Sequence, residues 1–389
     1  MKKAIQQGFK QILFACIGIS IIILGNSCSA ENTAADEPLT SEHLKNNWEL
    51  GSMVTYKNLQ VFLIKGATTL SNKKYVTLNN ALNKKMVEVI ETGNVGELSI
   101  NNNSGEYVFI HAGDIVKGGR QDRTVRFDMI IEPHAQKTAL TSFCVEHDRW
   151  QQRGSESSAT FTKSENTITS KKLKIAARYK NDQSDVWQNV AKEQEKYNTE
   201  ISKKCNTAID VKDNASGSSL QLTLENDSLM KMKSEYKKHF ENLLKENAGS
   251  IGMVVFINNE ISEINIYNNG QLFTDLWDKL IDAAILEAIA EGEKAKTNTE
   301  SGLDQITTML NADVKADTSY SEKSNSITKI ITTENKKNGV LFFETQDLKA
   351  NGFWIHYNYL KADAVDFESK QARNYDNTYQ IRSSHPIRN

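Results

Sequence analysis

Proline and cysteine are nearly missing from this chain, and each gap excludes something. Of three prolines, Pro38 and Pro386 lie in the end segments and only Pro133 lies between them. The body, residues 48–365, therefore carries no proline-marked linker. At that length it reads as one large domain or two intimate ones. The four cysteines include no Cys-x-x-Cys pair, which excludes a zinc–thiolate site of the usual spacing. The apolar run at 12–24 has thirteen residues, short of the roughly 20 that a membrane-spanning helix needs. Net charge is −2, so the overall field implies neither nucleic acid nor an acidic membrane surface as partner. There is no nucleophile elbow, no paired-carboxylate signature and no repeat of solenoid period. Arginine is the last scarcity: nine, against 38 lysines.

The arginines that are present gather in one place. Arg120, Arg123, Arg126, Arg149 and Arg153 fall between residues 120 and 153, where the only lysine is Lys137. A planar guanidinium grips phosphate or carboxylate with two parallel hydrogen bonds and stacks on aromatic rings, which an ammonium does not do. The densest stretch is His111-Ala-Gly-Asp-Ile-Val-Lys-Gly-Gly-Arg-Gln-Asp-Arg123, read as two strands joined by a glycine-rich turn. Gly118 and Gly119 permit positive φ and bare backbone N–H groups, the makings of an anion-binding nest. The spacing Gly113-x4-Gly118 is that of a P-loop, but Gly119-Arg120 stands where Lys-Ser/Thr is required and a strand follows in place of a helix. Further on, Cys144-Val-Glu-His-Asp-Arg-Trp150 ends a strand. There Glu146, Asp148 and Arg149 can orient one another, and Trp150 can stack on a guanidinium or a ligand ring.

The expected ligand-binding set is therefore Gly118, Gly119, Arg120, Gln121, Asp122, Arg123, Glu146, Arg149 and Trp150. The competing reading is a tight turn whose arginines pair internally with Asp122, Asp128, Glu146 and Asp148. A Cys144 nucleophile with His134 or His147 as base is conceivable, although a strand cysteine is more often simply buried. His111, Asp114, His134 and His147 match no compact ligand spacing and read as satisfied surface groups; no metal and no cofactor is expected.

Residues 1–30 carry the pattern of an export signal. Lys2, Lys3 and Lys10 form a basic region around the start of the apolar run. Cys28 follows Gly25-Asn26-Ser27, which resembles a lipoprotein cleavage site with Gly25 where leucine is usual. Cys28-Ser29-Ala30 offers an ordinary signal-peptidase site instead, leaving Glu31 first. Lipidation at Cys28 is the preferred expectation. It places the chain in the cell envelope as a periplasmic or outer-membrane lipoprotein; ordinary cleavage secretes it to the periplasm. Residues 31–47 are polar and suit a tether, and residues 366–389 a polar tail. An oxidising envelope allows Cys144 and Cys205 to pair, and two separate buried thiols are equally compatible with the sequence.

Periodicity in the body points to an α+β fold: antiparallel sheets, the glycine-rich strand-turn-strand motif and several packed amphipathic helices. Strands are expected as a pair or one bent strand over 53–64, then at 75–78, 97–100, 106–111, 124–131, 138–146 and 219–224. A hairpin is expected over 251–267 about Asn258-Asn259, and further strands at 326–333, 339–344 and 353–359. Helices are expected over 80–91, 185–205, from Asp227 through Leu243, and over 271–291. Residues 155–172, rich in Ser and Thr, read as a mobile surface loop.

The glycine-rich stretch from Phe109 to Arg123, with Ile131-Glu-Pro-His134, Cys144 to Trp150, Val186-Trp187, Gly252-Met-Val-Val-Phe256 and Leu272-Phe273 to Leu276-Trp277, resembles the ARG-and-rhodanese-phosphatase-superfamily-associated domain, a domain of unknown function. The likeness spans about residues 50–360. Reading ARG as ADP-ribosylglycohydrolase, the resemblance implies a neighbourhood of ADP-ribose metabolism; it brings no catalytic residues with it.

The function expected first is an envelope-tethered protein binding a small anionic ligand, phosphate-, nucleotide- or ADP-ribose-like, at the arginine cluster. A hydrolase acting on such a ligand there, with Asp122, Glu146 or His134 as acid or base, is the alternative. A structural or partner-binding module without a ligand is the third. If Cys28 is lipidated, the mature protein partitions with membranes, and Cys28→Ala releases it or blocks processing. An intact mass beginning at Glu31 without an acyl addition contradicts this.

Overall fold

The computed structural model describes residues 48–295, 302–368 and 379–380. Cys28, the rest of the expected export signal, the expected tether and most of the expected polar tail lie outside them. In chain order the strands β1 (Glu49–Leu50), β2 (Val54–Tyr56), β3 (Leu59–Lys65) and β4 (Tyr75–Thr77) come first, and β4 runs into α1 (Leu78–Asn83). Eight strands follow: β5 (Val87–Asn94), β6 (Glu97–Asn102), β7 (Tyr107–Ile110), β8 (Asp114–Gly118), β9 (Arg123–Val125), β10 (Met129–Ile131), β11 (Thr138–Cys144) and β12 (Thr160–Ile168). Then α2 (Lys171–Lys174) continues as a π-helical turn over Ile175–Lys180. After it come α3 (Gln183–Cys205), α4 (Leu220–Leu224), α5 (Asp227–Lys237) and α6 (Leu243–Glu246). The hairpin β13 (Ser250–Ile257) and β14 (Glu260–Tyr267) precedes α7 (Gly270–Glu291) and α8 (Gly302–Leu310). The last strands are β15 (Thr318–Lys323), β16 (Thr328–Asn335), β17 (Val340–Asp347), β18 (Phe353–Lys361) and β19 (Tyr379–Gln380).

Three sheets result, and the fold is α+β. Strands β11-β6-β5-β12-β8-β9 close into a barrel, and β10-β7-β4 form a small sheet. A large sheet runs β1-β3-β13-β14-β18-β17-β16-β15-β19, with β2 on β3. Val89, Leu98, Ile100, Val116, Leu140 and Phe161, drawn from five barrel strands, share one buried cluster. Burying each such side chain contributes about 1.5–3 kcal/mol. The large sheet is covered on both faces. Met253 and Val255 of β13 pack in the cluster that holds Phe273, Leu276 and Leu280 of α7. Val254 and Ile264 pack with Ile306 and Met309 of α8. Every residue of β13 is accordingly buried. Its hairpin turns on Asn258 and Asn259, both at positive φ as their residue type allows.

Five local expectations fail, each for a physical reason. The stretch 80–91 is not one helix: Lys85 takes φ 53, and Val87 and Val89 then alternate into the barrel core. Four-residue spacing of Leu82, Met86 and Ile90 mimicked a helical stripe. Residues 155–172 are not a loop, because Thr160–Ile168 pairs with β5 and β8 and closes the barrel; threonine suits a pleated strand as well as a surface loop. The run 219–224 is helical, with Ser219 capping the Leu222 N–H; so short an apolar run carries no decisive period. The strand 124–131 breaks at residues 126–128, so that β9 pairs with β11 and β10 with β7. The helix begun at Asp227 ends at Lys237, and Leu243 starts α6. Strand β15 had no expectation at all. Cys144 is buried and Cys205 exposed, and both are free thiols, so the possible disulfide between them is not formed.

The break at 126–128 exists because Asp128 leaves the barrel to bind the large sheet. It is fully buried. Its Oδ1 accepts from the Ala112 N–H (2.7 Å). Its Oδ2 accepts from Thr345 Oγ1 (2.5 Å) and His356 Nδ1 (2.7 Å), with Arg178 Nη2 at 3.6 Å. His356 Nε2 faces Asn265 Oδ1 at 3.0 Å, and that oxygen is fixed because Asn265 Nδ2 donates to Glu263. Each ring nitrogen thus faces an acceptor oxygen. Burial disfavours the Asp128 carboxylate, but the charges of His356 and Arg178 outweigh it and hold the carboxyl well below its ordinary range. Asp128→Ala is expected to cost about 3–5 kcal/mol in urea unfolding, because it strands the buried Arg178 cation and removes the acceptor of Thr345 and the Ala112 amide. The folded pKa lies below the unfolded one. The contribution is thus complete above about pH 4 and is lost as pH falls further. A loss under about 1 kcal/mol at pH 7 rules this role out.

Candidate functional site

The turn between β8 and β9 is built by its glycines. Gly118 and Gly119 adopt φ 119 and 57, and a Cβ on Gly119 would lie 2.1 Å from the Phe161 ring. The resulting nest is real, but the protein's own acceptors fill it. Asp122 Oδ1 accepts from the Gly118 N–H (2.9 Å), Thr160 O from the Gly119 N–H (3.3 Å), and Glu91 Oε2 from the Arg120 N–H (3.2 Å). Glu146, two residues past β11, accepts from the Asp122 N–H at 3.0 Å.

Two arginines close this cluster from the loop that follows. Arg153 grips Asp122 bidentately, at 2.8 and 3.0 Å, and reaches Glu146 (3.3 Å) and Glu156 (2.9 Å). Arg149 donates its Nε to Glu146 (2.6 Å) and its remaining nitrogens to the carbonyls of Gly118, Gly119 and Gln151. Ser219, at the start of α4, adds a hydrogen bond to Asp122. Burial disfavours ionisation of Glu146, yet the Arg149 contact and the Asp122 amide hold its pKa below the usual value. At Asp122 burial, helped by the Glu146 charge, outweighs Arg153 and raises the pKa. Two guanidiniums against Asp122, Glu146 and Glu156 leave no uncompensated positive charge here. Gly118, Gly119, Asp122, Glu146 and Arg149 are thus brought together as expected, but as internal partners.

What remains open is Arg120, Gln121, Arg123 and Trp150. Arg123 is fully buried. Its Nη1 reaches Gln121 O (3.2 Å) and Oε1 (3.4 Å), and its Nη2 stands 3.6 Å from Glu91. Its Nε and Nη2 have no hydrogen-bond partner among the described residues. Trp150, 40% exposed, has two guanidiniums near its ring, Arg120 at 5.4 Å and Arg123 at 5.5 Å from its centroid. Arg126 lies apart, over Phe127 and 3.9 Å from Glu322. Burial pushes the Cys144 thiol up to about 11 despite Arg123, so it is no nucleophile at neutral pH. His134 and His147 are exposed. Asp148 pairs with His147, outside the cluster.

His111 is not the surface group expected; it is buried in the polar layer around Asp128. Its Nδ1 faces Ala112 O (2.7 Å) and must donate, so Nε2 accepts from Tyr267 Oη (2.9 Å). Burial keeps the ring neutral, its pKa well below the ordinary value. The ligand atoms of His111, Asp128 and His356 lie within 4.8 Å of one another. The set does not suit a metal: both His356 nitrogens already face protein oxygens, and Arg178 stands as a cation beside the same carboxylate oxygen. Sequence reasoning missed this group because its members come from residues 111, 128 and 356, with no local spacing to betray them.

Residues 47–360 match the family model described as the ARG and Rhodanese-Phosphatase-superfamily-associated Protein domain. The chain belongs to that family. No curated protein and no solved structure matches it. The family match covers the barrel, the small sheet, the large sheet except β19 and the last residue of β18, and the arginine cluster.

The cluster divides the arginines into two kinds. Arg149→Lys and Arg153→Lys are expected to lower the melting temperature, each removing hydrogen bonds to buried carboxylates worth about 1.5–3 kcal/mol. Arg120→Lys is expected to leave it unchanged. Equal effects in thermal unfolding contradict the division.

Proposed function

We propose that this is an envelope-tethered protein that binds a small anionic ligand, phosphate-, nucleotide- or ADP-ribose-like, against Arg120, Arg123 and Trp150. The observation that carries the reading is Arg123. A buried guanidinium with two nitrogens lacking hydrogen bonds is costly to maintain. The partly exposed Trp150 ring lies beside it, and the exposed Arg120 lies beside the same ring. Movement of the indole would offer an anion the unused edge of Arg123, and a flat ring could take Arg120's place against the indole. The buried carboxylate–arginine cluster beneath would hold this edge in place. The envelope location rests on the pattern of residues 1–30, and the ligand class is in keeping with the family's naming association.

A second reading is a structural or partner-binding module without a ligand, favoured by the filled backbone nest. Thermal shift of the chain lacking residues 1–30, at low salt with inorganic phosphate, AMP and ADP-ribose, separates the two. A ligand at 100 times its Kd should add about 2.7 kcal/mol of stability. Arg120→Lys and Trp150→Ala should then weaken binding about tenfold with the ligand-free melting temperature unchanged. No shift with any of the three favours the module. Unchanged shifts in both variants remove the site from Arg120 and Trp150.

A further inference from the structure

A cleft of about 760 Å3 is lined by the start of α2, one face of α3, the β13–β14 hairpin and the end of α7. Many of its charges are already matched. Lys172 pairs with Asp363 and Asp366, both at 2.6 Å, Lys196 with Glu291 at 2.5 Å, and Lys294 with Glu291 at 2.6 Å. Two neighbours on α3 differ. Glu193 is only 8% exposed, yet no cation lies within ion-pair distance of it among the described residues. Ser170 Oγ donates to its Oε1, and no other described group hydrogen-bonds the carboxylate. Lys192, exposed and lining the same cleft, has no ion-pair partner among the described residues.

Glu193 has company. Glu287 of α7 accepts from Ser262 Oγ (2.7 Å) and from the Lys171 N–H (3.2 Å). Adjacent residues, Ser170 and Lys171, thus each hold one of two carboxylates that line the cleft, and Lys171 Nζ also stands 3.7 Å from Glu287. Burial pushes the Glu193 pKa up to about 7; Glu287 and Glu291 add to the rise, while Ser170 and Lys196 oppose it. Tyr197, one turn along, stays neutral through burial and the same two carboxylates, Glu193 and Glu287. A buried carboxylate without a counter-ion destabilises the fold, and such groups concentrate where a ligand or reaction uses them. These carboxylates do not converge on a metal position; among the described residues only His111, Asp128 and His356 do.

We propose that this cleft is a second ligand site that takes a small zwitterion of the amino-acid class, its ammonium against Glu193 and Glu287 and its carboxylate against Lys192. Binding is then tied to a proton. The ammonium supplies the missing counter-charge, returns Glu193 to the ordinary carboxylate range, and the proton Glu193 carried leaves to solvent.

Calorimetric titration of the complete exported chain with the common α-amino acids, at pH 6, 7 and 8 in buffers of different ionisation enthalpy, reads affinity and proton release together. At least one amino acid should bind. Proton release should be near one at pH 6 and near zero by pH 8, with affinity rising about tenfold across that range. Glu193→Gln should abolish binding and raise the melting temperature at pH 8. Lys192→Met should bind at least tenfold more weakly with the pH dependence intact. Should Glu193→Gln fail to fold, Lys192→Met and the wild-type proton count decide. Absence of binding by every amino acid, equal binding of putrescine, or binding without pH dependence overturns the proposal. None of these readouts involves Arg120 or Arg123, so the anion site stands or falls separately.

Discussion

A buried carboxylate needs donors from every direction, and at Asp128 those donors come from three parts of the fold. The Ala112 amide belongs to the β7–β8 link beside the barrel, Thr345 and His356 to adjacent strands of the large sheet, and Arg178 to the π-helical turn. Satisfying this one group fixes the barrel, the sheet and the helical segment against each other. The requirement spreads outward. Lys174 takes Glu263, Glu263 takes Asn265 and Asn358, and Asn358 takes Arg178. Hydrophobic contacts tolerate small slides, whereas a charge network of this kind is satisfied in one arrangement.

The arginine cluster shows the same chemistry used a second time. A nest of backbone N–H groups at the Gly118–Gly119 turn is electrostatically ready for an anion, and the chain supplies its own. Asp122 and Glu146 occupy the positions a phosphate or carboxylate ligand would take in a phosphate-binding loop. The two networks differ in what they leave over. Around Asp128 each acceptor meets its donor and the residual demand sits on Arg178; at the turn it sits on Arg123, next to an exposed indole.

Much of the fold was legible in the sequence, for reasons tied to particular residues. Asn258-Asn259 between two apolar runs admits little besides a hairpin. The stripe of Leu272, Phe273, Leu276, Trp277 and Leu280 is a helix face at its plain period. Three of the misread stretches, 80–91, 124–131 and 155–172, are those where local pattern and barrel closure disagree. Thr160–Ile168 has no apolar alternation strong enough to announce a strand, and its partners β5 and β8 are distant in sequence. The shift from lysine to arginine picked out Arg120, Arg123, Arg149 and Arg153, which gather about one turn, but could not say which face inward. A guanidinium gripping an internal carboxylate and one gripping a ligand have the same composition. Glu193 and the Asp128 group left no trace, since burial and convergence across long separations are properties of the folded chain alone.

The π-helical turn at Ile175–Lys180 carries a consequence for insertions and deletions. A π turn holds one residue more than the α turn it replaces, so the phase of the helical segment is offset by about 100° at this point. That offset accompanies Arg178's position over Phe343, at 3.9 Å, within reach of both Asn358 and Asp128. Loss of a single residue here would regularise the helix and turn the guanidinium away from its anion. Chain length across these six positions, more than which apolar residues fill them, is what the placement of Arg178 depends on.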